Sequence, residues 1–521
     1  MHELLSIKRR DIFFFEWMKL RVMKAKFACA VAVLSVWVSL TARAQDTPVH
    51  DPAEYLSGTL PVLYVNTKDS VPVTSKEYYL QGSYYLDAEG FDQYESIGSA
   101  NEPLPLQIKG RGNNTWLSRA KKPYRLKLDK KAALLGMPKS KHWVLMAAAS
   151  DWRGKGRDYM AFEISRRMGM PWTPGDVPCE LVLNGDYKGL YFVVEKIRIA
   201  KDRVNIFDME EAAEVAAQNG EEFDDVTGGW LLEIDNYNAP NQLRLPDIDG
   251  STLRVTYQSP ESPTPAQKAF IDDLLTRTHN AINTSDKSSR EWEQYVDIDA
   301  IARFYVIQEV VDNQEAFSGS CWFYKDQGDT AKFIFGPVWD FGSSMSARVN
   351  STVNNFMYEN TGDNMHWKYH WIRELVKFPR FQIALRKHWH RYRDQVFPQM
   401  QQVATDLATM IEKAGEADYR RWHDGSSLYI RSYLNQYVRA LGNKFDFLSR
   451  QWDEDYHYPT GDLNLDGLAD IADVNLIINV MLGKFDASQC LGDPDVTGDG
   501  IVDVEDLNAT VNSILGKVMA Q

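Results

Sequence analysis

Hydrophobic and polar residues alternate in four short stretches of the N-terminal part of the chain, at 60–66, 78–86, 104–109 and 124–128. Because successive side chains of a strand point to opposite faces, this two-residue period predicts strands of an antiparallel sheet. In four later stretches, apolar residues recur every three or four positions, at 158–168, 265–280, 298–311 and 382–395. That spacing predicts amphipathic helices. Strands followed by helices favour an α+β fold, with a helical C-terminal part.

A change in composition around residues 455–461 divides the chain into two parts. An aromatic body of mixed charge, residues 58–455, is followed by a short acidic tail, residues 459–521. The tail holds eleven Asp and Glu residues against Lys484 and Lys517. The total length of 521 residues is also about three times that of a typical single domain. We therefore expect at least two folding units.

The acidic tail contains one pattern twice, 33 positions apart. The oxygen-bearing side chains of the first copy are those of Asp462, Asn464, Asp466, Asp470 and Asp473. The matching side chains of the second copy are those of Asp495, Thr497, Asp499, Asp503 and Asp506. A glycine at the sixth position of each copy permits the sharp turn that brings oxygen ligands round one Ca²⁺ ion. Each copy therefore predicts a calcium loop, and the apolar runs 474–482 and 507–515 predict a helix after each loop.

The two calcium loops resemble those of the type I dockerin family, and the resemblance covers the whole tail. Aspartate stands at the twelfth loop position, where an EF-hand has glutamate, and one helix rather than two serves each loop. The resemblance implies a small all-α module that folds with Ca²⁺ and docks onto a cohesin-like partner protein. It also implies that Thr497 is a weaker ligand in the second loop.

The N-terminal residues 1–44 predict a secretory signal peptide. Lys24 and Lys26 precede an apolar run at 27–40, and Ala42 and Ala44 provide a cleavage site. The run is short for a transmembrane helix, and the sequence contains no comparable second run. We therefore expect a secreted protein, extracellular or at the cell surface, without a membrane span.

Cysteine usage adds little to this picture. Cys29 leaves with the signal peptide, and Cys179, Cys321 and Cys490 remain at wide spacings. These spacings are typical neither of a disulfide scaffold nor of a zinc site. A single disulfide between Cys179 and Cys321 stays open.

Composition and charge exclude several classes of protein. With 44% hydrophobic, 12% aromatic and 25% charged residues, the chain is neither disordered, collagenous nor a multi-span membrane protein. A formal net charge of −14 disfavours nucleic acid as a partner, because phosphates would be repelled. The sequence also lacks the motifs of P-loop NTPases, zincins and serine esterases.

The strongest candidate for chemistry in the body is Asp340, in a Val-Trp-Asp-Phe-Gly motif after the strand-like run 332–335. A carboxylate held at a strand end by aromatic neighbours can bind Mg²⁺ against nucleotide phosphates. A buried turn in which Asp340 caps backbone amides is the alternative.

Upstream, Asp312, Asn313 and Glu315 close a helix-like run and cluster carboxylates with an amide. Such groups orient a hydroxyl and bind a second cation in phosphoryl transfer, although acidic residues at helix ends are often merely solvated.

Two further blocks supply candidate anion ligands. Arg111 stands in a glycine-bearing turn after a predicted strand, and Lys122 stands in a Lys-Lys-Pro-Tyr segment before the next strand. Backbone amides of the turn and these two cations can cradle an anion, and a hairpin with solvated basic residues explains the block equally well. Glu195 ends a hairpin strand, where it pairs a phosphate-binding lysine or merely caps the chain.

Together and in this order, the four blocks resemble the spore-coat-protein-H (CotH) family of atypical protein kinases, over about residues 60–450. The resemblance implies a reduced kinase-like fold that transfers the γ-phosphate of ATP to protein Ser or Thr with Mg²⁺ or Mn²⁺. It makes Asp340 the metal ligand. Arg111 and Lys122 become nucleotide-side candidates, with Glu195 in support.

Two departures from the family pattern keep other functions open. The family often has Asn-x-Asp where this chain has Asn313-Gln314-Glu315, so either Glu315 or Asp312 supplies the catalytic carboxylate, beside Asn313 on the cofactor side. The second Asp of the family's Trp-Asp-x-Asp is also missing after Asp340. A catalytically silent kinase-like module for binding or adhesion in an assembly is the alternative, and transfer of AMP is a third possibility.

Overall fold

The computed structural model describes the following residues: 50–148, 156–247, 250–287, 289–345, 355–359, 370–423, 429–453, 459–464, 468–487, 490 and 492–516. The predicted signal peptide and the candidate calcium ligand Asp466 lie outside them. Among the helices in these ranges, none is long and apolar enough to cross a membrane.

Seven strands in the first part of the body form a closed barrel. They are β1 (Val62–Thr67), β2 (Leu80–Asp87), β3 (Leu104–Gly110), β4 (Tyr124–Ala132), β5 (Ser140–Met146), β6 (Asp176–Leu183) and β7 (Asp186–Glu195). Their order round the barrel is β1-β2-β3-β4-β5-β7-β6. All neighbours pair antiparallel except β1 and β6, which run parallel and close the ring. The four predicted strands are confirmed as β1 to β4.

Alternate residues of the barrel strands fill its interior. Leu63 and Val65 on β1, and Leu106 and Ile108 on β3, are at most 2% exposed and belong to one core cluster. The intervening residues are more exposed. The two-residue period of the sequence thus corresponds to an inward and an outward face.

A second, five-stranded sheet follows the barrel. Its strands are β8 (Trp230–Ile234), β9 (Gln242–Pro246), β10 (Thr252–Ser259), β11 (Cys321–Lys325) and β12 (Ile334–Phe335). They pair antiparallel in the order β12-β11-β8-β10-β9. The central strand β8 is buried along its whole length. Cys179 in the barrel and Cys321 in the second sheet are buried and free.

Helices make up most of the remaining body and the tail. The first six are α1 (Pro52–Tyr55), α2 (Asn114–Ser118), α3 (Arg157–Arg167), α4 (Met209–Asn219), α5 (Pro265–Ile282) and α6 (Ile298–Val310). The others are α7 (Ile372–Leu375), α8 (Pro379–Arg391), α9 (Met400–Trp422), α10 (Ile430–Trp452), α11 (Ile471–Met481) and α12 (Val504–Ile514). The four predicted body helices are confirmed as α3, α5, α6 and α8. The mixed α+β architecture with a helical C-terminal part is confirmed as well.

The long C-terminal helices brace the barrel. Helix α9 packs on strand β7 and on helix α10. Asp418 of α9 accepts hydrogen bonds from the buried ammonium of Lys121 and from the backbone N–H of Leu190. Gly189 has φ 99°, and a Cβ there would overlap the Asp418 carboxylate, so glycine is required for this close approach.

Candidate active site

A polar cavity of about 830 Å³ opens where the barrel meets the second sheet. One side is formed by the ends of the barrel strands, including the turn 110–115 and the segment 196–199. The other side is formed by strand β8 and by the segments that carry Glu315 and Asp340. The volume falls within the range of small-molecule and cofactor sites.

Asp340 lies in the lining of this cavity, five residues after strand β12. Its neighbours Trp339 and Phe341 are 8% and 0% exposed, and both pack on Phe162 of helix α3, with ring centres 6.1 Å apart. These aromatic contacts anchor the turn on both sides of the carboxylate. Trp339 and Phe341 thus hold the Asp340 carboxylate in place by packing on helix α3.

Hydrogen bonds fix the backbone of this turn in an uncommon conformation. Asp340 has φ 58°, in the left-handed region. The carboxylate of Asp158 accepts from the N–H of Phe341 at 2.8 Å, and Arg157 donates to the carbonyl of Gly342 at 3.0 Å. Asp340 itself accepts a hydrogen bond from the N–H of Gly342. The capping role considered from the sequence is thus present together with a position in the cavity.

Four of the carboxylates that line the cavity act on one another: those of Glu233, Asp235, Glu315 and Asp340. Burial raises the pKa of each of them, and repulsion between the carboxylates adds to the shift at Glu233, Asp235 and Glu315. The pKa of Glu315 rises to about 7 through burial and the nearby charge of Asp340. A cluster of buried carboxylates with raised pKa values marks a functional site and suits divalent cations.

Arg111 is the cation whose positive charge lowers the pKa of Asp340. Burial raises the pKa of Asp340, and the Arg111 guanidinium acts in the opposite direction. The guanidinium lies 5.6 Å from the ring centre of Trp339. Arg111 lies in the cavity lining, and its role as a ligand for the nucleotide stays a prediction.

The turn after helix α6 brings Glu315 to the cavity. Asn313 is 2% exposed, and its side-chain amide donates to Oε1 of Gln308 at 2.8 Å and to the carbonyl of Asp340 at 3.3 Å. Glu315 accepts a hydrogen bond from the hydroxyl of Ser343 at 2.7 Å. Asn313 therefore ties the two acidic segments together through the main chain.

Asp312 points to a different environment. Its Oδ1 lies 3.8 Å from the ammonium of Lys444, which is fully buried and also pairs with Glu309. Asp312 is 1% exposed and, in the part of the chain that the structure describes, is not in the cavity lining. Of the two candidates for the catalytic carboxylate, the structure brings Glu315, and not Asp312, to Asp340.

A protein-family model described as CotH kinase protein matches residues 106–449. The match covers about two thirds of the chain. The chain belongs to the CotH kinase family. Membership indicates a kinase-like function for this part of the chain, and the matched range contains Arg111, Glu315 and Asp340. A comparison with curated proteins found no match.

Two residues predicted for the nucleotide side of the CotH kinase site make other contacts. Lys122 donates to the carbonyl of Trp116, and its ammonium lies 5.5 Å from the centre of that ring. Glu195 accepts from the N–H of Gly175 at 2.9 Å and from Nε of Arg203 at 3.3 Å. Neither is among the described residues that line the cavity.

Sequence reasoning missed several charged residues of the CotH kinase cavity. Glu233 and Asp235 stand two positions apart at the end of an otherwise apolar strand, which places both on one face. That spacing predicts a polar face at the C-terminal end of the strand. Lys109, Arg125, Lys196 and Arg198 also line the cavity, on the barrel side. Their convergence depends on strand pairing that the sequence alone does not fix.

In the described residues of the tail beyond the CotH kinase match, the two repeats share a pattern of hydrogen bonds. Asp473 accepts from the N–H groups of Asn464 at 3.0 Å and Asp470 at 2.9 Å. Asp506 accepts from the N–H groups of Thr497 at 2.9 Å and Asp503 at 2.8 Å, nine and three positions back as in the first copy. The first residues of α11 and α12 are thereby held in matching capping boxes.

Carboxylate side chains are the candidate metal ligands in the cavity and in the tail. Within the described ranges, no group of three or more His, Cys, Asp or Glu side chains is already placed to hold a metal ion. The donor chemistry nevertheless suits hard cations, because carboxylate oxygens are the ligands that Mg²⁺ and Ca²⁺ prefer. In the cavity, the raised pKa values of Glu315 and Asp340 indicate that a nearby positive charge would be stabilised.

Proposed function

We propose that this CotH kinase transfers the γ-phosphate of ATP to Ser or Thr hydroxyls of a protein substrate, with Mg²⁺ or Mn²⁺. The supporting observation is that Asp340, Glu315 and Arg111 line one cavity, and that Asp340 interacts electrostatically with both Glu315 and Arg111. Phosphoryl transfer requires such a combination of metal-binding carboxylates, a proton acceptor and a cation for the phosphate oxygens. The cavity offers all three.

Each residue has a separate role in the proposed reaction. Asp340 would hold the metal ion, which neutralises charge on the triphosphate when bound. Glu315 accepts the proton of the acceptor hydroxyl, and its pKa of about 7 suits a general base near neutral pH. The new bond joins the acceptor oxygen to the γ-phosphorus as the bond to the β-phosphate oxygen breaks, and ADP leaves. Arg111 stabilises negative charge on the phosphate oxygens, and Asn313 positions Asp340.

A catalytically silent kinase-like binding module is the second candidate. The carboxylates already have partners, since Glu315 bonds Ser343 and Glu233 accepts from Gln258 at 2.6 Å. A hydrogen-bond network of this kind can stabilise the fold without taking part in catalysis. The family's usual aspartate is also replaced by the longer Glu315, which displaces the carboxylate.

We further propose that residues 459–521 form a type I dockerin that binds Ca²⁺ and a cohesin-like partner, after a kinase-like domain at 58–455. The matching hydrogen bonds of the two loops support this. Apolar side chains are also exposed at equivalent positions of the two copies: Leu468 and Ile501 at 59% and 62%, Ile471 and Val504 at 69% and 54%, Leu482 and Leu515 at 60% and 59%. Exposed apolar residues repeated in this way favour a protein-binding surface.

The proposed location follows from the sequence features at the two ends of the chain. Residues 1–44 read as a signal peptide, so the protein acts outside the cytoplasm, in the medium or at the cell surface. The dockerin would then attach the kinase domain to a cohesin-bearing surface or assembly. Its substrates are expected among proteins held in the same place.

Labelled ATP distinguishes the proposed reaction from its rivals. The chain without residues 1–44 is incubated with Mg²⁺ and with extracellular proteins as acceptors, in parallel with ATP labelled at the γ- or the α-phosphate. Incorporation from the γ-position alone supports the kinase. Incorporation from the α-position would instead mean transfer of AMP. No incorporation from either label, with ATP still bound, would mean a silent binding module.

A further inference from the structure

Four of the cations that line the cavity come from strands β3 and β4 and from the segment after β7, and we call them the basic wall: Lys109, Arg125, Lys196 and Arg198. Lys109 and Arg125 are directly opposite each other on the paired strands β3 and β4. Lys196 and Arg198 follow strand β7 two positions apart, and both line the cavity. Strand pairing thus collects four positive charges from distant parts of the sequence on one surface.

The members of the basic wall repel one another. Burial lowers the pKa of Lys196 to about 7, and the charges of Arg125 and Arg198 add to this effect. Burial and Arg125 likewise lower the pKa of Lys109. Like charges gathered beside a cavity are stabilised when an anion binds among them.

Charged and titratable groups surround Lys196 on several elements. Those that act on it or respond to it are Arg125 on β4, His142 on β5, Arg198 and Arg203 after β7, and Glu261 after β10. Glu261 is exposed, and it is the acidic residue that raises the pKa of Lys196. The positive charges outnumber this acid, so the surroundings of Lys196 favour an added anion.

The chemistry of the two sides of the cavity indicates which anion this is. Glu233, Asp235, Glu315 and Asp340 gather carboxylates that suit a metal ion. The triphosphate is the anionic part of the proposed cosubstrate ATP, and the basic wall supplies cations in the same cavity that can bind its oxygens.

We propose that the basic wall binds the triphosphate of ATP, with Arg125 and Lys196 as the principal contacts, in place of the predicted Lys122. This inference rests on the proposed use of ATP, but not on transfer of its phosphate. It assigns the nucleotide to the barrel side of the cavity and leaves the side of Asp340 and Glu315 for the metal and the acceptor hydroxyl. An arginine and a lysine at these positions donate charge-assisted hydrogen bonds to phosphate oxygens.

Isothermal titration calorimetry of the full mature chain with Mg²⁺ and ATP tests this assignment. Arg125→Gln and Lys196→Met are each expected to weaken ATP binding about tenfold or more. The matched control is Lys127→Met, which removes an exposed cation two residues along β4 from Arg125. Adenosine should bind all four proteins alike, because it carries no phosphate. Unchanged ATP affinity in both wall variants would overturn the inference.

Proton uptake provides a second readout that a purely structural role would not produce. Bound phosphate raises the pKa of Lys196, so ATP binding near pH 7.5 should take up protons from the buffer. Titrations in buffers of different ionisation enthalpy measure this uptake. Lys196→Arg should keep the affinity and lose the uptake, because arginine stays protonated. Equal uptake in both proteins would contradict the role of Lys196.

The basic wall has one rival occupant, an acidic segment of the protein substrate. In that case the wall variants would bind ATP normally and lose affinity for a synthetic acidic peptide, which would overturn the inference. Failure of the proposed kinase activity looks different: ATP would still bind in a wall-dependent manner, and labelled γ-phosphate would not be transferred.

Discussion

The side-chain amide of Asn313 donates a hydrogen bond to the main-chain carbonyl of Asp340 at 3.3 Å, across 27 positions of sequence. The same side chain bonds Gln308 at the end of helix α6, so it connects this helix to the turn after strand β12. Both acidic segments of the site thus depend on one buried amide.

The first prediction concerns this amide. Asn313→Ala should lower kcat about tenfold to a hundredfold with a smaller change in the KM for ATP, because a displacement of about 1 Å at a reacting group costs that much. Steady-state kinetics measures the split, and thermal unfolding checks that the variant folds. A proportional rise of KM at unchanged kcat would mean that Asn313 contacts ATP instead.

The pH dependence of the rate should show Glu315 as a general base. Because its pKa is about 7 in the folded protein, activity should rise as the pH increases towards 7 and the carboxylate loses its proton. The measurement is best made on Lys196→Arg, which removes the titration of the lysine from the same range. An equal rate at pH 5.5 and 7.5 would show that Glu315 does not act in this way.

Glu315 should also affect stability, with a sign opposite to that of most carboxylates. Its pKa is raised from 4.5 to about 7, so the folded protein keeps a proton that the unfolded chain releases between these values. Stability therefore falls as the pH rises from about 4.5 to about 7. In metal-free buffer, the Tm of Glu315→Gln relative to the unaltered protein should be higher at pH 8 than at pH 5. A difference that does not change with pH would argue against this shift.

Gly110 offers a steric test of the turn that carries Arg111. A Cβ at this position would lie 2.3 Å from the ring of Trp116, so Gly110→Ala must displace that ring. We expect a loss of about 1–3 kcal/mol in the free energy of unfolding. Gly442→Ala is the matched control, because the nearest atom lies 3.9 Å away and alanine favours helix α10 by about 1 kcal/mol. Denaturant unfolding should move the two variants in opposite directions.

Calcium binding tests the proposed tail. Titration of the full mature chain with Ca²⁺ should reveal two sites, and Asp506→Ala should remove one of them, because Asp506 organises the second loop through the N–H groups of Thr497 and Asp503. Glu505→Ala changes a neighbouring exposed acid and should leave both sites intact. Two unaltered sites in Asp506→Ala would count against the dockerin assignment.

The sequence patterns predicted where individual strands and helices lie. They did not predict which distant segments pair with each other. The alternation at 60–66 and 104–109 corresponds to β1 and β3, because one face of each strand fills the barrel. Closure of that barrel by the parallel pair β1 and β6 brings together segments more than a hundred residues apart, and no local pattern specifies it. The same limit applies to Lys122 and Arg125: the two are close in sequence, and only the folded structure shows that Arg125, and not Lys122, is among the described residues that line the cavity.

The acidic residues illustrate a second limit. Asp340 and Glu315 were found because each follows an apolar run at a point where the chain turns. Asp312 has the same local signal, but buried Lys444 from helix α10 pairs with its neighbour Glu309 and lies 3.8 Å from its carboxylate. Lys444, 132 positions after Asp312 in the sequence, thus helps to decide which acid reaches the cavity. The local sequence around Asp312 does not predict this contact.

The central claim is that Asp340 supports transfer of the γ-phosphate of ATP. The most direct measurement compares incorporation of label from γ-labelled ATP by the unaltered mature chain, by Asp340→Asn and by Asp329→Asn, an exposed acid in another loop. The account predicts transfer by the first and third proteins and loss of transfer in Asp340→Asn, with similar Tm values. Full transfer by Asp340→Asn would contradict it.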